Sequence, residues 1–174
     1  PKGVAVQHGG VINLIHVTQS RYEGCVFGLT TNYVFDPFVH YMFTCLGGVG
    51  GTIELLESGL DLLNLPETCR VTHLADSASV MTQASIPRSI KCVDVGGEAL
   101  TPALLDHVPR AVSLRNCYGP TEASIAASGK VIDRSELERW SRKVLSIGPP
   151  LENVPSYVVS IEGGCTFLSP IGVY

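Results

Sequence analysis

Asn116, Cys117, Tyr118, Gly119, Pro120, Thr121 and Glu122 concentrate more usable chemistry than any other stretch of this chain. Tyr118 offers a flat ring, Gly119 and Pro120 make a turn, and Thr121 and Glu122 add a hydroxyl and a carboxylate. A ring to stack on a base, a hydroxyl for a phosphoryl oxygen and an acid for magnesium together suit a nucleotide. The same residues also make an ordinary Gly–Pro turn after a strand, and composition by itself favours that plainer reading.

Further candidates lie elsewhere. Asp36 precedes Pro37 in the pattern of a helix start, a carboxylate for the free N–H groups and then a preset torsion. Asp36 is either a helix N-cap or an acid offered to a cation, and both roles fit one side chain. His40 follows four residues later and shares that helix face, although a lone helical histidine is more often structural. Cys117 has no partnered histidine in view and reads as a small wall rather than a nucleophile. The other cysteines, Cys25, Cys45, Cys69, Cys92 and Cys165, form no Cys-x-x-Cys pair with it or with one another. Zinc and dithiol redox chemistry are therefore poorly supported, and buried reduced thiols are expected.

These residues need elements to hold them. Extended or strand-like runs are expected at 24–34, 51–56, 70–74, 90–95 and 111–116. Helices are expected from Asp36 to the Gly47–Gly48 pair, at 60–65, at 77–84, and from the Thr101–Pro102 start. Ser135 with Glu138 forms a capping box before a short helix carrying Trp140, and 157–161 with 165–168 reads as a hairpin. Alternating strands and helices imply an α/β fold: a mostly parallel sheet flanked by helices, then a short β-rich C-terminal portion. The expected division is 1–130 and 131–174. Ligands of such sheets gather beyond the carboxyl ends of the strands, where Asp36, Gly96, Gly97, Glu98 and 116–122 fall.

The chain has 174 residues with 12 Lys and Arg against 16 Asp and Glu, a net charge of −4. No run of basic residues marks a nucleic-acid face, so anionic ligands must be held locally. Charged residues make up only 16% of the chain and mean hydropathy is +0.25, which suggests that part of the surface packs against something else. The most apolar stretch, 41–53, contains several glycines and is too short to span a bilayer, and a cytoplasmic protein is expected. Both ends read as cuts through something longer.

The heptad 116–122 resembles the N-x-Y-G-P-T-E motif of amino-acid adenylation domains in nonribosomal peptide synthetases. Acyl-CoA ligases and luciferases, in the wider adenylate-forming superfamily, show a looser Y-G-x-T-E. Pro1, Lys2, Gly3 and Val4, then His8, Asn13, Leu14 and Ile15, resemble the tail of a phosphate-binding loop and its helix. Phe35 and Asp36 resemble F-D-x-S, with Phe38 where that motif has a small hydroxyl residue. Gly96 through Pro102 resembles G-G-E-x-L-x-P. Ile147 through Asn153, followed by Tyr157, resembles I-G-x-P-x-x-N…Y-V-x-D, and Ser169 through Tyr174 resembles the start of P-x-G-x-x-G-E-L. The likeness spans nearly the whole chain in the right order.

The resemblance implies that a carboxylate attacks the α-phosphate of ATP, pyrophosphate leaves, and the acyl group passes to a phosphopantetheine thiol. It implies Thr121 at the α-phosphate, Glu122 on Mg²⁺, and Tyr118, Gly97, Glu98 and Ala99 around adenine. It also places Lys2, Gly3, Asn116 and Gly119 among the nucleotide-binding residues. Asp36 would pair with the substrate's α-ammonium. Pro37, His40, Asp94, Gly96, Cys117, Ile125, Ala126 and a position near Ser77 would line the side-chain pocket. An acid at Asp94 suggests a polar or cationic substrate, or equally a solvated or capped aspartate. The family's ribose-binding aspartate and lysine-bearing C-terminal subdomain fall beyond residue 174, so the 174 residues alone are expected not to complete adenylation. Implied partners are an α-amino acid, the rest of the same domain, and carrier and condensation domains, with neither nucleic acid nor membrane. A fragment of an acyl- or aryl-CoA ligase and a non-catalytic nucleotide- or partner-binding module are the alternatives.

Overall fold

The computed structural model describes residues 3–47, 50–135, 145–162 and 165–168. Five parallel strands run through its centre: β1 (Val26–Leu29), β2 (Thr52–Leu55), β3 (His73–Asp76), β4 (Cys92–Val95) and β5 (Ser113–Tyr118). A sixth, β6 (Ser128–Val131), pairs antiparallel with β5, giving the order β2-β1-β3-β4-β5-β6. β7 (Val159–Glu162) and β8 (Cys165–Leu168) form the separate antiparallel pair anticipated for the C-terminal portion. β6 lies across the expected division at 130, and Ile132 beyond it still packs into the main core.

Alternation along the strands splits the interior into two layers. Leu74, Val93, Val95 and Leu114 face one side, packing with Leu62, Met81 and Leu104. Leu62 comes from a 3₁₀ turn (Gly59–Asn64), and Met81 and Leu104 come from α3 (Ala78–Met81) and α4 (Pro102–His107). Phe27, Leu29 and Ala75 face the other side, covered by Tyr22 and by Tyr41 and Cys45. α1 (His8–Thr18) and α2 (Asp36–Leu46) lie on that side and pack against each other. Because β4 and β5 also send Asp94 and Arg115 to this second face, it holds a buried polar network.

The helix starts follow their sequence signals with one correction. Thr101 caps α4, its Oγ1 accepting the Leu104 N–H at 3.3 Å, with Pro102 in the first turn. In α2 the N-cap is Phe35, and Asp36 is already helical and makes no capping bond. The helix-cap role considered for Asp36 is thus not the one it plays. The capping box and the helix carrying Trp140 lie outside the described residues. Ser146 to Val154 returns along the sheet edge: Gly129 N–H donates to Pro149 at 3.3 Å and Leu151 N–H to Ala127 at 2.8 Å. The far end of that segment meets α1, where Asn13 Nδ2 donates to the Glu152 carbonyl and Asn153 Nδ2 to Asn13 Oδ1, each at 2.9 Å.

Among the described residues no helix is long and apolar enough to cross a membrane.

Candidate functional site

A cavity of about 650 Å³ opens at the carboxyl ends of the parallel strands. It is walled by Thr30, Thr31 and Asn32 after β1, Ala75, Asp76 and Ser77 at the end of β3, Gly96, Gly97 and Glu98 after β4, and Cys117, Tyr118 and Gly119 at the end of β5. With the order β2-β1-β3, connections leave β1 and β3 in opposite directions, and the crevice between them is where such sheets bind ligands. α2 closes the side with Asp36, Pro37, His40 and Tyr41. Phe35 and Tyr118 are exposed and mark the mouth, whereas Ala75, His40 and Tyr41 are buried and mark the inner end.

The structure therefore gathers Asp36, Pro37, His40, Ser77, Gly96, Gly97, Glu98, Cys117, Tyr118, Gly119, Ile125 and Ala126 around one space. It does not gather all the expected residues. Thr121 and Glu122 sit in a 3₁₀ turn (Thr121–Ala123) just past Tyr118 and Gly119, half-buried and exposed respectively, outside the cavity wall. Ala99 is exposed beyond Glu98, Gly3 is exposed before α1, and Lys2 lies outside the described residues. Asn116 is buried, and its side chain donates to the Ser146 carbonyl at 3.1 Å. It clamps the returning segment instead of facing the cavity.

Asp94 is the main correction. It is 1% exposed and absent from the wall, sharing the strand face of Gly96 but one step deeper. Its carboxylate accepts from the Tyr22 hydroxyl, from Arg115 Nη1 at 3.4 Å and from the Cys92 thiol at 3.6 Å. Burial, then Asp94, raises the Tyr22 pKa well above its ordinary range. Burial opposes the Arg115 charge, and Asp94 with the adjoining thiols and Tyr22 more than restores it. An acid already compensated in this way is a buried ion pair beneath the cavity and leaves no charge for a cationic side chain.

Among the described residues three carboxylates line the cavity, and two are occupied. Asp76 accepts from Thr30 Oγ1 at 3.1 Å and from the Ser77 N–H at 2.7 Å. Glu98 accepts from the Ser79 N–H at 2.9 Å and from Ser79 Oγ at 3.0 Å. Among the described residues no hydrogen bond or ion pair engages the Asp36 carboxylate. The wall holds no Lys or Arg among the described residues, so Asp36 is the acid left to meet a ligand cation. Burial pushes the Cys117 thiol up to about 12, Asp94 adding to it, so this wall residue stays an uncharged thiol at neutral pH.

The loop after Tyr118 carries a feature with no sequence signal. Ser124 and Ile125 both have positive φ, 62° and 78°. For a β-branched residue this is a rare conformation costing roughly 1–3 kcal/mol, tolerated where the surroundings dictate it. Ala127 N–H donates back to the Tyr118 carbonyl at 2.8 Å and closes the loop. Gly119 is required there: a Cβ would lie 2.5 Å from Ala126 Cα and 2.6 Å from Ala127 N. Sequence reading also missed Thr30, Asn32, Asp76 and Val80 on the wall. Only their place just after a strand or on a short helix pointed to them.

No group of three or more His, Cys, Asp or Glu that could hold a metal occurs among the described residues. Magnesium commonly takes one or two carboxylates plus substrate phosphates and keeps its waters, so exposed Glu122 fits a site completed by a ligand.

The family of AMP-binding enzymes matches residues 1–169. Over 99% of its length the chain is 32% identical to N-(5-amino-5-carboxypentanoyl)-L-cysteinyl-D-valine synthase of Penicillium rubens, of which it spans 5%. The nonribosomal peptide synthetase FmoA3 shares the fold with a TM-score of 0.74 at 21% identity, over 88% of this chain and 18% of that one. The o-succinylbenzoate coenzyme A synthetase of Bacillus subtilis, solved with AMP, superposes with a TM-score of 0.72 at 20% identity, over 98% of this chain and 36% of that one. With its parallel strands, its cavity at the strand ends and this match over nearly its whole length, the chain belongs to the AMP-binding enzymes.

Proposed function

We propose that this site activates an α-amino acid within a nonribosomal peptide synthetase acting in the cytoplasm. The amino acid's carboxylate oxygen attacks the α-phosphorus of ATP, the bond to the bridging oxygen breaks, and pyrophosphate leaves with its electron pair. The aminoacyl-adenylate then passes its acyl group to the phosphopantetheine thiol of a carrier domain, releasing AMP. Chemistry of this kind asks a protein mainly for positioning and charge stabilisation. Tyr118, at 51% exposure on the mouth, offers its ring to adenine beside Gly97 and Glu98, with Ala99 and Gly3 farther out. Thr121 would touch the α-phosphate, and Glu122 would hold a magnesium ion that neutralises phosphate charge.

The observation that carries this reading is the unengaged Asp36 carboxylate in the cavity wall. A half-buried acid without a partner suits an ammonium group, and an amino acid supplies one beside its reacting carboxylate. The test is amino-acid-dependent ATP–pyrophosphate exchange by the whole protein. Asp36→Ala is expected to lower kcat/KM by about a hundredfold or more, from losing a charge-assisted contact. Full exchange by that variant would favour a substrate without an amino group, as in an acyl- or aryl-CoA ligase.

A further inference from the structure

His40 stands at the inner end of the cavity, 5% exposed, and its ring is fixed from three sides. Tyr41 stacks on it with centroids 4.7 Å apart, and Tyr22 meets it edge-on at 6.0 Å. Thr18, the last residue of α1, approaches Nε2 at 3.1 Å. The Thr18 hydroxyl has one proton, and it goes to the Leu14 carbonyl one turn back, at 2.6 Å. The Thr18 oxygen can therefore only accept from His40, and Nε2 carries the ring proton. Burial also pushes the His40 pKa down to about 4, Asp94 opposing and Arg115 and Arg21 assisting, so the ring is neutral. A neutral ring protonated at Nε2 keeps a bare lone pair at Nδ1. Behind it, Asp94 is compensated by Arg115 and Tyr22.

We propose that Thr18 is a positioning residue that sets His40 as a hydrogen-bond acceptor at the inner end of the cavity, and that the site takes α-amino acids whose side chains are uncharged and carry a hydrogen-bond donor. This rests on the adenylation reading. A side-chain carboxylate would set its lone pairs against that of Nδ1. A side-chain cation meets no uncompensated anion there among the described residues. A purely apolar side chain leaves Nδ1 buried without a partner, which is costly. Thr18 belongs to the helix behind the phosphate-loop segment, so the nucleotide end and the amino-acid end of the site share one element.

The test is ATP–pyrophosphate exchange by the whole protein with matched amino acids: threonine against valine, tyrosine against phenylalanine, glutamine against glutamate, and lysine. The preferred substrate is expected to be a neutral donor, favoured at least tenfold over its donor-free or charged partner. Thr18→Val is expected to raise KM for that substrate about tenfold with kcat little changed and to erase the preference, while Thr18→Ser keeps both. Preference for a charged or purely apolar amino acid would overturn the proposal while leaving adenylation standing, and needs no variant. Unchanged discrimination in a folded Thr18→Val protein would overturn the role of Thr18. No exchange with any amino acid would overturn the adenylation reading and this proposal together.

Discussion

Breaking the ion pair beneath the cavity should cost more than the pair contributes. Arg115 and Asp94 have side chains 6% and 1% exposed, 3.4 Å apart. At an effective dielectric near 20, unit charges at that distance attract by about 5 kcal/mol. Taking both out of water costs several kcal/mol per ion, so the pair is close to break-even as a whole. Removing one member keeps the desolvation of the other and loses the attraction. Arg115→Met is therefore expected to destabilise the fold by about 3–5 kcal/mol, and Asp94→Asn by the lower end of that range, because an amide still accepts from Tyr22. For 174 residues this corresponds to a Tm lower by roughly 6–20 °C. The double variant removes both charges and should cost at least about 2 kcal/mol less than the two single costs added together. Urea unfolding of the four proteins, followed by far-ultraviolet circular dichroism, measures the coupling. Additive costs, within about 0.5 kcal/mol, would show that the two groups do not pair in the folded protein.

The neutral His40 sets a pH dependence whose sign is fixed. Its pKa is about 4 when folded against 6.5 as a free side chain, so below pH 6.5 the unfolded chain binds the proton and the folded one does not. Stability should fall by about 1.4 kcal/mol per pH unit from this group between roughly pH 6.5 and 4, about 3 kcal/mol in all, and His40→Gln should remove that increment from the measured slope. Equal slopes in both proteins would place the ring in solvent. Gly119→Ala forces a methyl group onto the Ala126 and Ala127 backbone, and should cost about 1–3 kcal/mol in urea unfolding while weakening nucleotide binding in calorimetry. Unchanged affinity and stability would mean that the 119–127 loop is not closed as described.

The sequence made the parallel layer legible because buried strands read as apolar runs between helix starts. Their ends were less legible. β3 begins at His73, not residue 70, since Val71 is buried in the core without joining the ladder. β5 runs on to Tyr118 because Cys117 and Tyr118 pair with Gly129 and Ser128. β6 itself was missed. Ser128, Gly129 and Lys130 show no alternation of their own, and the open edge of β5 imposes the strand on them. The site was legible where one local segment carries it, as after β4 and β5. It was not legible where partners come from distant segments: nothing near Asp94 announces Tyr22 or Arg115, and nothing near His40 announces Thr18. Ile125 hid for another reason, since its positive φ runs against the preference of its residue type.

Asp36 and His40 are four residues apart on α2, which is about one turn and a rise of roughly 6 Å. A helix holds that spacing more rigidly than two loops could. If Asp36 takes the ammonium and His40 reads the side chain, the helix acts as a ruler between them. The donor would then lie at the inner end of the cavity, about one helical turn from the ammonium. The unused Asp36 carboxylate, the compensated Asp94 and the fixed His40 ring would then constrain the same molecule. On the amino-acid proposal, Asp36 would take the amine, the compensated Asp94 would offer no reward for a positive side chain, and His40 would ask for a neutral donor.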